Sequence, residues 1–463
     1  MKQVTLNIQD IFDIPTAVIY NPDSFKPVKH VTINSKEVKK GSLFIAIKGK
    51  HFDGHNFVRK AVKNGAGSVL INSHKLKMFD DINVPLITVR NTVKALGDIA
   101  KTWRKKLNAT VIGLTGSAGK TTTKEMMATI LAQKYNVNKT ISNNNNHIGV
   151  PLTILSTNNK HEVLVAELGT NHFGEIEYTA NILQPDYAMI TNIGNSHIEF
   201  LKNKKGVLKE KAALFYVTIE KGGKIFINND DALLKKLKTG YKNKISFGFT
   251  GKPQIKGTLK GYTMDGRPVI SIKYKNKTVT GELPVYGKQN AESYLAAAAV
   301  ALESGLTKTH LQNGTKQITS PEGRLNVKRF KNFMMIDDTY NANPESTIAA
   351  IETVNKIKIF NRKILILGDM LELGKNRIRM HRALSSHIIK NNITELYTIG
   401  AGMKYLSEAV SKRKLEKKHF ASRKTLTKFL KEMNLNNSVI LVKGSRGMKM
   451  EEFCKLIEAR AYS

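Results

Sequence analysis

Cysteine is nearly absent: the 463 residues contain one, Cys454. That excludes an intrachain disulfide and any metal site built from cysteines. Cys454 lies in a helical pattern near the end of the chain and reads as a small packed hydrophobe. Long apolar runs are missing too. The longest, Tyr294 to Leu302, falls far short of the ~20 residues that span a bilayer. The opening stretch MKQVTLNIQDIFDI carries acids where a signal peptide has a continuous apolar segment. A soluble cytoplasmic protein is the expectation. Acidic residues are scarce, 37 Asp+Glu against 74 Lys+Arg, for a formal net charge of +37. A field of that size attracts anions such as nucleotides, nucleic acid or acidic lipid. The basic residues are spread along the whole chain, however, and 60 of the 74 are Lys. The aromatic-interleaved basic patches of single-strand binders are also missing. The charge therefore reads as lysine-rich solvated faces, with no obligatory nucleic-acid partner.

The composition is that of a folded protein, with 41% hydrophobic and 7% aromatic residues. At roughly 150 residues per domain, the length favours about three domains. There is no internal repeat and no Pro- or Gly-rich linker. Residues 1–106 mix short β-like runs (SLFIAIKG, GSVLI, PLITV) with a helix ending near Trp103. From 107 to 322 strands alternate with helices, the pattern of a doubly wound parallel sheet. ATVIGLT leads into a helix, TTTKEMMATILAQKY, and EVLVAEL and YAMITNI follow. Residues 245–283 read as antiparallel β-structure (SFGF, QIKGTL, PVISIKY, KTVTGEL), and the alanine-rich helix AESYLAAAAVALESG ends at Gly305. Residues 323–463 form a second α/β series with strands NFMMIDD, KILILGD, ELYTIG and SVILVKG. The fold class expected is α/β in three domains: a mixed N-terminal substrate domain, a central P-loop domain and a C-terminal Rossmann-like domain.

The sharpest local signal is Thr115-Gly116-Ser117-Ala118-Gly119-Lys120-Thr121-Thr122, set between a strand and a helix. Glycines let the backbone wrap a phosphate, the helix start offers free N–H groups, and Lys120 adds a point charge. Thr121 can place its hydroxyl on a magnesium ion. Leu114 stands where the longer form of this motif has its first glycine. Polar residues also fall at strand ends: Glu167, His197, Asp338, Asp369 and Lys443. One such residue is usually a turn former, but five across two α/β series point to a ligand crevice at the carboxyl ends of strands.

These residues belong to longer blocks: TGSAGKTTTKE, NNNNHIGVPLTIL, ELGTNHFGEIEY, ITNIGNSHIEFL, EGRLNV, DDTYNANPESTIAAI, ILGDMLELG and KGSRGMKMEE. Over essentially the whole chain they resemble the Mur ligases. The Asp-x-Pro-Arg motif of the sibling that adds diaminopimelate or lysine is not found. The resemblance implies an ATP-dependent amide-bond ligase of peptidoglycan precursor synthesis. Its small-molecule substrates would be UDP-N-acetylmuramoyl-tripeptide and D-alanyl-D-alanine, and it would act as a monomer.

It also implies roles. Gly116, Ser117, Ala118, Gly119, Lys120, Thr121 and Thr122 would hold the ATP phosphates, with Asn290, Arg324 and Asp338 as further nucleotide contacts. Arg324 would sit near the γ-phosphate and Asp338 near the ribose. Thr121 and Glu167 would bind one magnesium ion. His197 and Lys211, the latter as a carbamate, would bind or orient a second. Lys120, Glu167, His197, Lys211 and Arg324 form the implied catalytic set. Ser35, Asp53, Gly54 and His55 mark the segment that grips the UDP end. Two departures stand out: Asn34-Ser35-Lys36 replaces Asp-Ser-Arg, and Gln289 replaces a histidine, where Gln keeps one hydrogen bond of the ring. The Asn143–Asn146 run reads either as polar low complexity or as part of its block. His381 carries no assigned role. An alternative, a P-loop protein that hydrolyses ATP on nucleic acid, predicts steep salt dependence but leaves EGRLNV, DDTYNANP and KGSRG unexplained.

Overall fold

The computed structural model describes residues 4–49, 51–237, 240–411 and 414–461. It separates into two compact units, residues 1–247 with 299–306 and residues 248–298 with 307–463. None of the helices among the described residues is long and apolar enough to cross a membrane.

The first unit opens with a five-stranded sheet in the order β1-β5-β4-β3-β2. Its strands are β1 (Val18–Tyr20), β2 (Val31–Thr32), β3 (Ser42–Ile45), β4 (Ala66–Asn72) and β5 (Leu86–Val89), with only β1 antiparallel. The central strands bury both faces, as their unbroken apolar runs require. The helix Thr92–Lys105 then lies against the rest of the unit. Trp103 Nε1 donates to the Thr157 carbonyl at 2.8 Å, and Arg104 donates to the Leu183 carbonyl at 2.9 Å.

Six parallel strands follow: β6 (Thr110–Thr115), β7 (Val137–Lys139), β8 (Val163–Glu167), β9 (Tyr187–Ile190), β10 (Lys224–Asn228) and β11 (Lys244–Gly248). Their order is β7-β8-β6-β9-β10-β11. SFGF, expected in an antiparallel series, is thus a parallel strand beside β10. The helical turn Ala232–Lys235 makes a crossover connection, which returns the chain in the same direction. One apolar core runs from Leu6 and Leu43 through Trp103 to Leu164, Phe215 and Ile225. Each such side chain contributes about 1.5–3 kcal/mol on burial.

In the second unit, β12 (Ile255–Tyr262), β13 (Pro268–Tyr274) and β14 (Lys277–Glu282) form an antiparallel meander. A six-stranded sheet follows in the order β15-β16-β20-β17-β18-β19. These are β15 (Asn326–Arg329), β16 (Phe333–Asp338), β17 (Arg362–Gly368), β18 (Glu395–Ile399), β19 (Glu416–Phe420) and β20 (Ser438–Lys443). All but β15 run parallel, with apolar cores on both faces. Cys454 packs into one of these cores, and burial pushes its thiol pKa up, as a packed hydrophobe requires.

Candidate active site

β6 lies between β8 and β9, so the chain leaves it at the point where the strand order reverses. Leu114 is fully buried in the strand opposite Glu167, and the turn therefore begins only at Gly116. A Cβ at Gly116 would collide with Thr191 Oγ1. Gly119 takes a left-handed φ of 76° and starts the helix Lys120–Leu131, which stops four residues before the expected Tyr135. The loop is clamped from the end of β9. Thr191 Oγ1 donates to the Ala118 carbonyl at 2.6 Å, and the Ala118 N–H donates to Asn192 Oδ1 at 2.9 Å. Lys120 folds back, and its Nζ donates to the Gly116 carbonyl at 2.9 Å. Thr122 is buried in the first helical turn.

Behind this loop stands Glu167, the last residue of β8 and 1% exposed. Its Oε1 accepts from Asn145 Nδ2 at 2.9 Å and from Thr121 Oγ1 at 3.4 Å. Its Oε2 has no hydrogen-bond partner, and Lys124 Nζ lies 3.9 Å away. A buried carboxylate oxygen without a partner is unfavourable by about 1–3 kcal/mol. A hydroxyl beside a carboxylate is an oxygen donor set suited to magnesium. Among the described residues no three His, Cys, Asp or Glu gather as a ready-made metal cluster. That leaves Thr121, Glu167, His197 and Lys211 as the protein donors to test.

Several residues near this carboxylate carry roles the sequence did not announce. Lys124 is fully buried, and its Nζ donates to the Thr140 carbonyl at 2.6 Å and the Ser142 carbonyl at 3.2 Å. It ties the segment after β7 to the helix carrying Thr121. The asparagine run is no low-complexity stretch. Asn145 reaches Glu167, and Asn146 Oδ1 accepts from the N–H groups of Ile148 and Gly149 where the helix Gly149–Ser156 begins.

Lys211 sits in the helix Lys204–Glu220, 1% exposed, and its side chain makes no hydrogen bond or ion pair among the described residues. Burial, with repulsion from Lys120, lowers its pKa from 10.5 to about 7 against the opposing pull of Glu210. Glu210 is itself engaged, accepting from the N–H groups of Gly174 at 2.7 Å and Ile176 at 2.8 Å. That anchors the helix Glu175–Leu183. His197 holds a left-handed φ of 51° at the start of a short helix, with much of its side chain exposed. Partial desolvation, then the charges of Lys120 and Lys211, push its imidazole pKa down. Lys120, His197 and Lys211 therefore share one electrostatic neighbourhood.

In the second unit, Arg324 sits in a turn between two left-handed residues, Gly323 at φ 69° and Leu325 at φ 46°. The Leu325 N–H donates to Asp338 Oδ1 at 3.0 Å, and Lys443 Nζ donates to Asp338 Oδ2 at 2.6 Å. Both Asp338 oxygens are thus occupied, so a ribose contact there shares or displaces one of them. The Arg324 guanidinium stacks 3.9 Å from the centre of the Tyr340 ring. Asn290 is buried and donates to the Tyr286 carbonyl at 2.8 Å. Asp369 caps the helix Ala401–Ala409 through Gly402 and Met403, while His381 holds the Met370 N–H. Both are building elements of the second unit.

The predicted UDP residues lie in short turns next to strands of the five-stranded sheet, Ser35 in Ser35–Glu37 and Asp53 at the start of Gly54–Phe57. Asp53 accepts from the His55 N–H at 3.0 Å and meets His55 Nδ1 at 2.6 Å. His55 Nε2 accepts from the Asn72 N–H at 3.0 Å, which fixes the proton on Nδ1. Burial opposes the Asp53 charge, but the His55 hydrogen bonds hold its carboxyl below the ordinary range. At Gly54 a Cβ would press on the Ile47 backbone at 2.6 Å. Ser35 is buried and its carbonyl accepts from Asn64. Asn34 Oδ1 accepts from the Lys36 N–H at 3.0 Å, a capping bond an aspartate makes equally well. Beside this segment an open cavity of about 370 Å³ is lined by Lys29, His30, Thr32, Lys39, Lys139 and Ser156 among others.

A phosphate loop at a switch point, a buried acid behind it and a second α/β sheet define a nucleotide-using α/β enzyme. The chain belongs to the Mur ligase family. It matches "Mur ligase family, catalytic domain" over residues 27–104, "Mur ligase middle domain" over 114–301 and "Mur ligase, glutamate ligase domain" over 323–446. It is similar to UDP-N-acetylmuramoyl-tripeptide–D-alanyl-D-alanine ligases. Its identity is 34% to that of Buchnera aphidicola subsp. Baizongia pistaciae, covering 97% of each chain. It is 33% to that of Bacillus subtilis, covering 98% of each. Among solved structures it resembles MurF from Acinetobacter baumannii, with TM-score 0.86, 28% identity and 99% and 100% of the two chains covered. It also resembles the MurF ligase of Thermotoga maritima in complex with ADP, with TM-score 0.80, 27% identity and coverage of 94% and 98%.

Proposed function

We propose that the chain joins D-alanyl-D-alanine to UDP-N-acetylmuramoyl-tripeptide at the expense of ATP, completing the UDP-linked pentapeptide of peptidoglycan synthesis. The observation that carries this reading is full-length similarity to enzymes of that name, with a phosphate loop, buried Glu167 and unpaired Lys211 gathered in one unit. Three parts serve it: residues 1–106 for the UDP end, 107–322 for ATP and 323–463 for the incoming dipeptide. The cavity beside Val31–Thr32, where Lys29, Lys39 and Lys139 outnumber the one carboxylate Glu37, supports an anionic ligand near the UDP segment.

The terminal carboxylate of the tripeptide attacks the ATP γ-phosphorus, giving an acyl phosphate and ADP. Lys120 and Arg324 offset the charge that gathers on the transferring phosphoryl group. Magnesium, held by Thr121 and Glu167 and by His197 with carbamylated Lys211, supplies further charge neutralisation and orientation when bound. Lys211 suits that modification, because a carbamate forms when a neutral amine attacks carbon dioxide and releases a proton. With its pKa near 7, the amine is neutral over much of the physiological range. The free amine of D-alanyl-D-alanine then attacks the acyl carbon and loses a proton. The tetrahedral intermediate expels phosphate and leaves the amide. The protein's share is positioning and exclusion of water, since an exposed acyl phosphate hydrolyses.

Phosphate release from ATP, measured with the UDP-tripeptide and with or without D-alanyl-D-alanine, tests the reading. It predicts release that needs both substrates and a UDP-pentapeptide by mass. Release that ignores D-alanyl-D-alanine but answers to another amine would overturn the choice of acceptor.

A further inference from the structure

Tyr340 faces two guanidinium groups: that of Arg324 at 3.9 Å from its ring centre and that of Arg446 at 6.0 Å. Two distances to one ring place the guanidinium carbons no more than about 10 Å apart. Arg324 is the cation assigned above to the transferring phosphoryl group. Arg446 has no role in that chemistry, yet it is held in place with care. It follows β20 at the carboxyl edge of the sheet, in the turn Arg446–Met448. The preceding Ser445 pins that turn to two neighbouring loops. Its N–H donates to the Asp369 carbonyl at 3.0 Å, and its Oγ accepts from the Leu371 N–H at 2.8 Å and donates to the Ala342 carbonyl at 3.2 Å.

The Arg446 side chain itself is 68% exposed. Its one ion pair among the described residues is a long contact of 3.9 Å to Glu451. A solvent-facing guanidinium with an unsatisfied fork, carried on a pinned turn, is a receptor for a carboxylate. The incoming dipeptide is a zwitterion whose reacting amine and free carboxylate lie about 7 Å apart when extended. Adding one hydrogen-bond contact of ~3 Å gives a reach of about 10 Å, so both arginines lie within the reach of one dipeptide.

We infer that Arg446 binds the terminal carboxylate of the incoming dipeptide, within one dipeptide length of the acyl phosphate at Arg324. The inference rests on the proposed function and adds the residue that selects a free dipeptide over an amine without a terminal carboxylate. Glu451 holds the guanidinium until the substrate carboxylate replaces it.

Steady-state kinetics with D-alanyl-D-alanine and its C-terminal amide, on wild type and on Arg446→Gln and Arg446→Lys, provide the test. The wild type should prefer the carboxylate form by at least about 30-fold in kcat/KM, in line with a lost charge-assisted pair. Arg446→Gln should raise KM for D-alanyl-D-alanine about 30-fold, bring the preference close to unity, and leave the KM values for ATP and UDP-tripeptide within about twofold. Arg446→Lys should fall between the two. A preference that survives intact in Arg446→Gln, or a wild type that uses acid and amide equally well, would overturn the inference. A wild type that uses neither would instead sink the proposed function itself, and UDP-tripeptide turnover with other amines would identify that case.

Discussion

The phosphate loop in the first unit and the Arg324 turn in the second each deliver one cation, and they are built in opposite ways. The loop is contiguous: Gly116 and Gly119 set its path, and its clamp comes from one neighbouring segment, Thr191 and Asn192. The turn is assembled. Arg324 lies between two left-handed residues, the Leu325 N–H after it is pinned by Asp338, its plane is set by Tyr340, and Asp338 in turn needs Lys443 from far along the chain. The difference follows from the two side chains. A lysine is a compact point charge on a flexible stem and needs only to be nearby, whereas a guanidinium is planar and acts well only when its fork is aimed.

Breaking the first design should have the largest effect. Lys120→Ala is expected to lower kcat by at least about 10³-fold, the scale of losing a cation at a transferring phosphoryl group. Lys120→Arg should not restore it. Single-turnover phosphate transfer is the direct readout.

Lys211→Ala should cost about 10²–10³-fold in kcat, with partial return on adding a short carboxylic acid that can occupy the carbamate's place. The amine is charged below about pH 7 and neutral above it. At fixed dissolved carbon dioxide, reactivation of carbon-dioxide-depleted enzyme should therefore rise as pH climbs through about 7. Between about 7 and 10.5 the unfolded chain holds a proton at this lysine that the folded chain lacks, so this group makes native stability rise with pH. Lys211→Met should flatten that slope in denaturation curves taken across pH 7–9. An unchanged slope would remove the buried neutral amine from the account.

The assembled turn offers a finer break. Tyr340→Leu is expected to lower kcat about 10–30-fold while leaving KM for ATP within about threefold, because it frees the Arg324 plane without removing the charge. Tyr340→Phe keeps the ring and should lie within about twofold of wild type. Equal losses in both variants would mean that the hydroxyl, not the stacking face, matters. The smallest effect belongs to the loop clamp: Asn192→Ala should raise KM for ATP about 3–10-fold, since Thr191 still holds Ala118.

What the sequence disclosed follows the same division. Strongly apolar strands such as β8, β16, β17 and β20 and the glycine loop announce themselves, because burial and phosphate wrapping each impose a local pattern. The edge strands β7, β15 and β19 do not. They carry polar residues that are half-exposed or, like Glu416, Lys417 and Lys418 of β19, exposed, and pairing alone makes them strands. The parallel direction of SFGF depended on a crossover that short-range turn signals did not reveal. Lys124 and Lys211 look in sequence like any of the chain's many lysines. Only the fold buries one against carbonyl oxygens and leaves the other unpaired. Tyr340 carried no signal beyond its block, since its role depends on the ring lying under Arg324.

The most direct test of the central claim, activation of the tripeptide carboxylate as an acyl phosphate, uses UDP-tripeptide labelled with ¹⁸O in that carboxylate. The account predicts that one labelled oxygen appears in the inorganic phosphate for each amide formed, with the other retained in the amide carbonyl. Phosphate free of label, alongside normal amide formation, would contradict it.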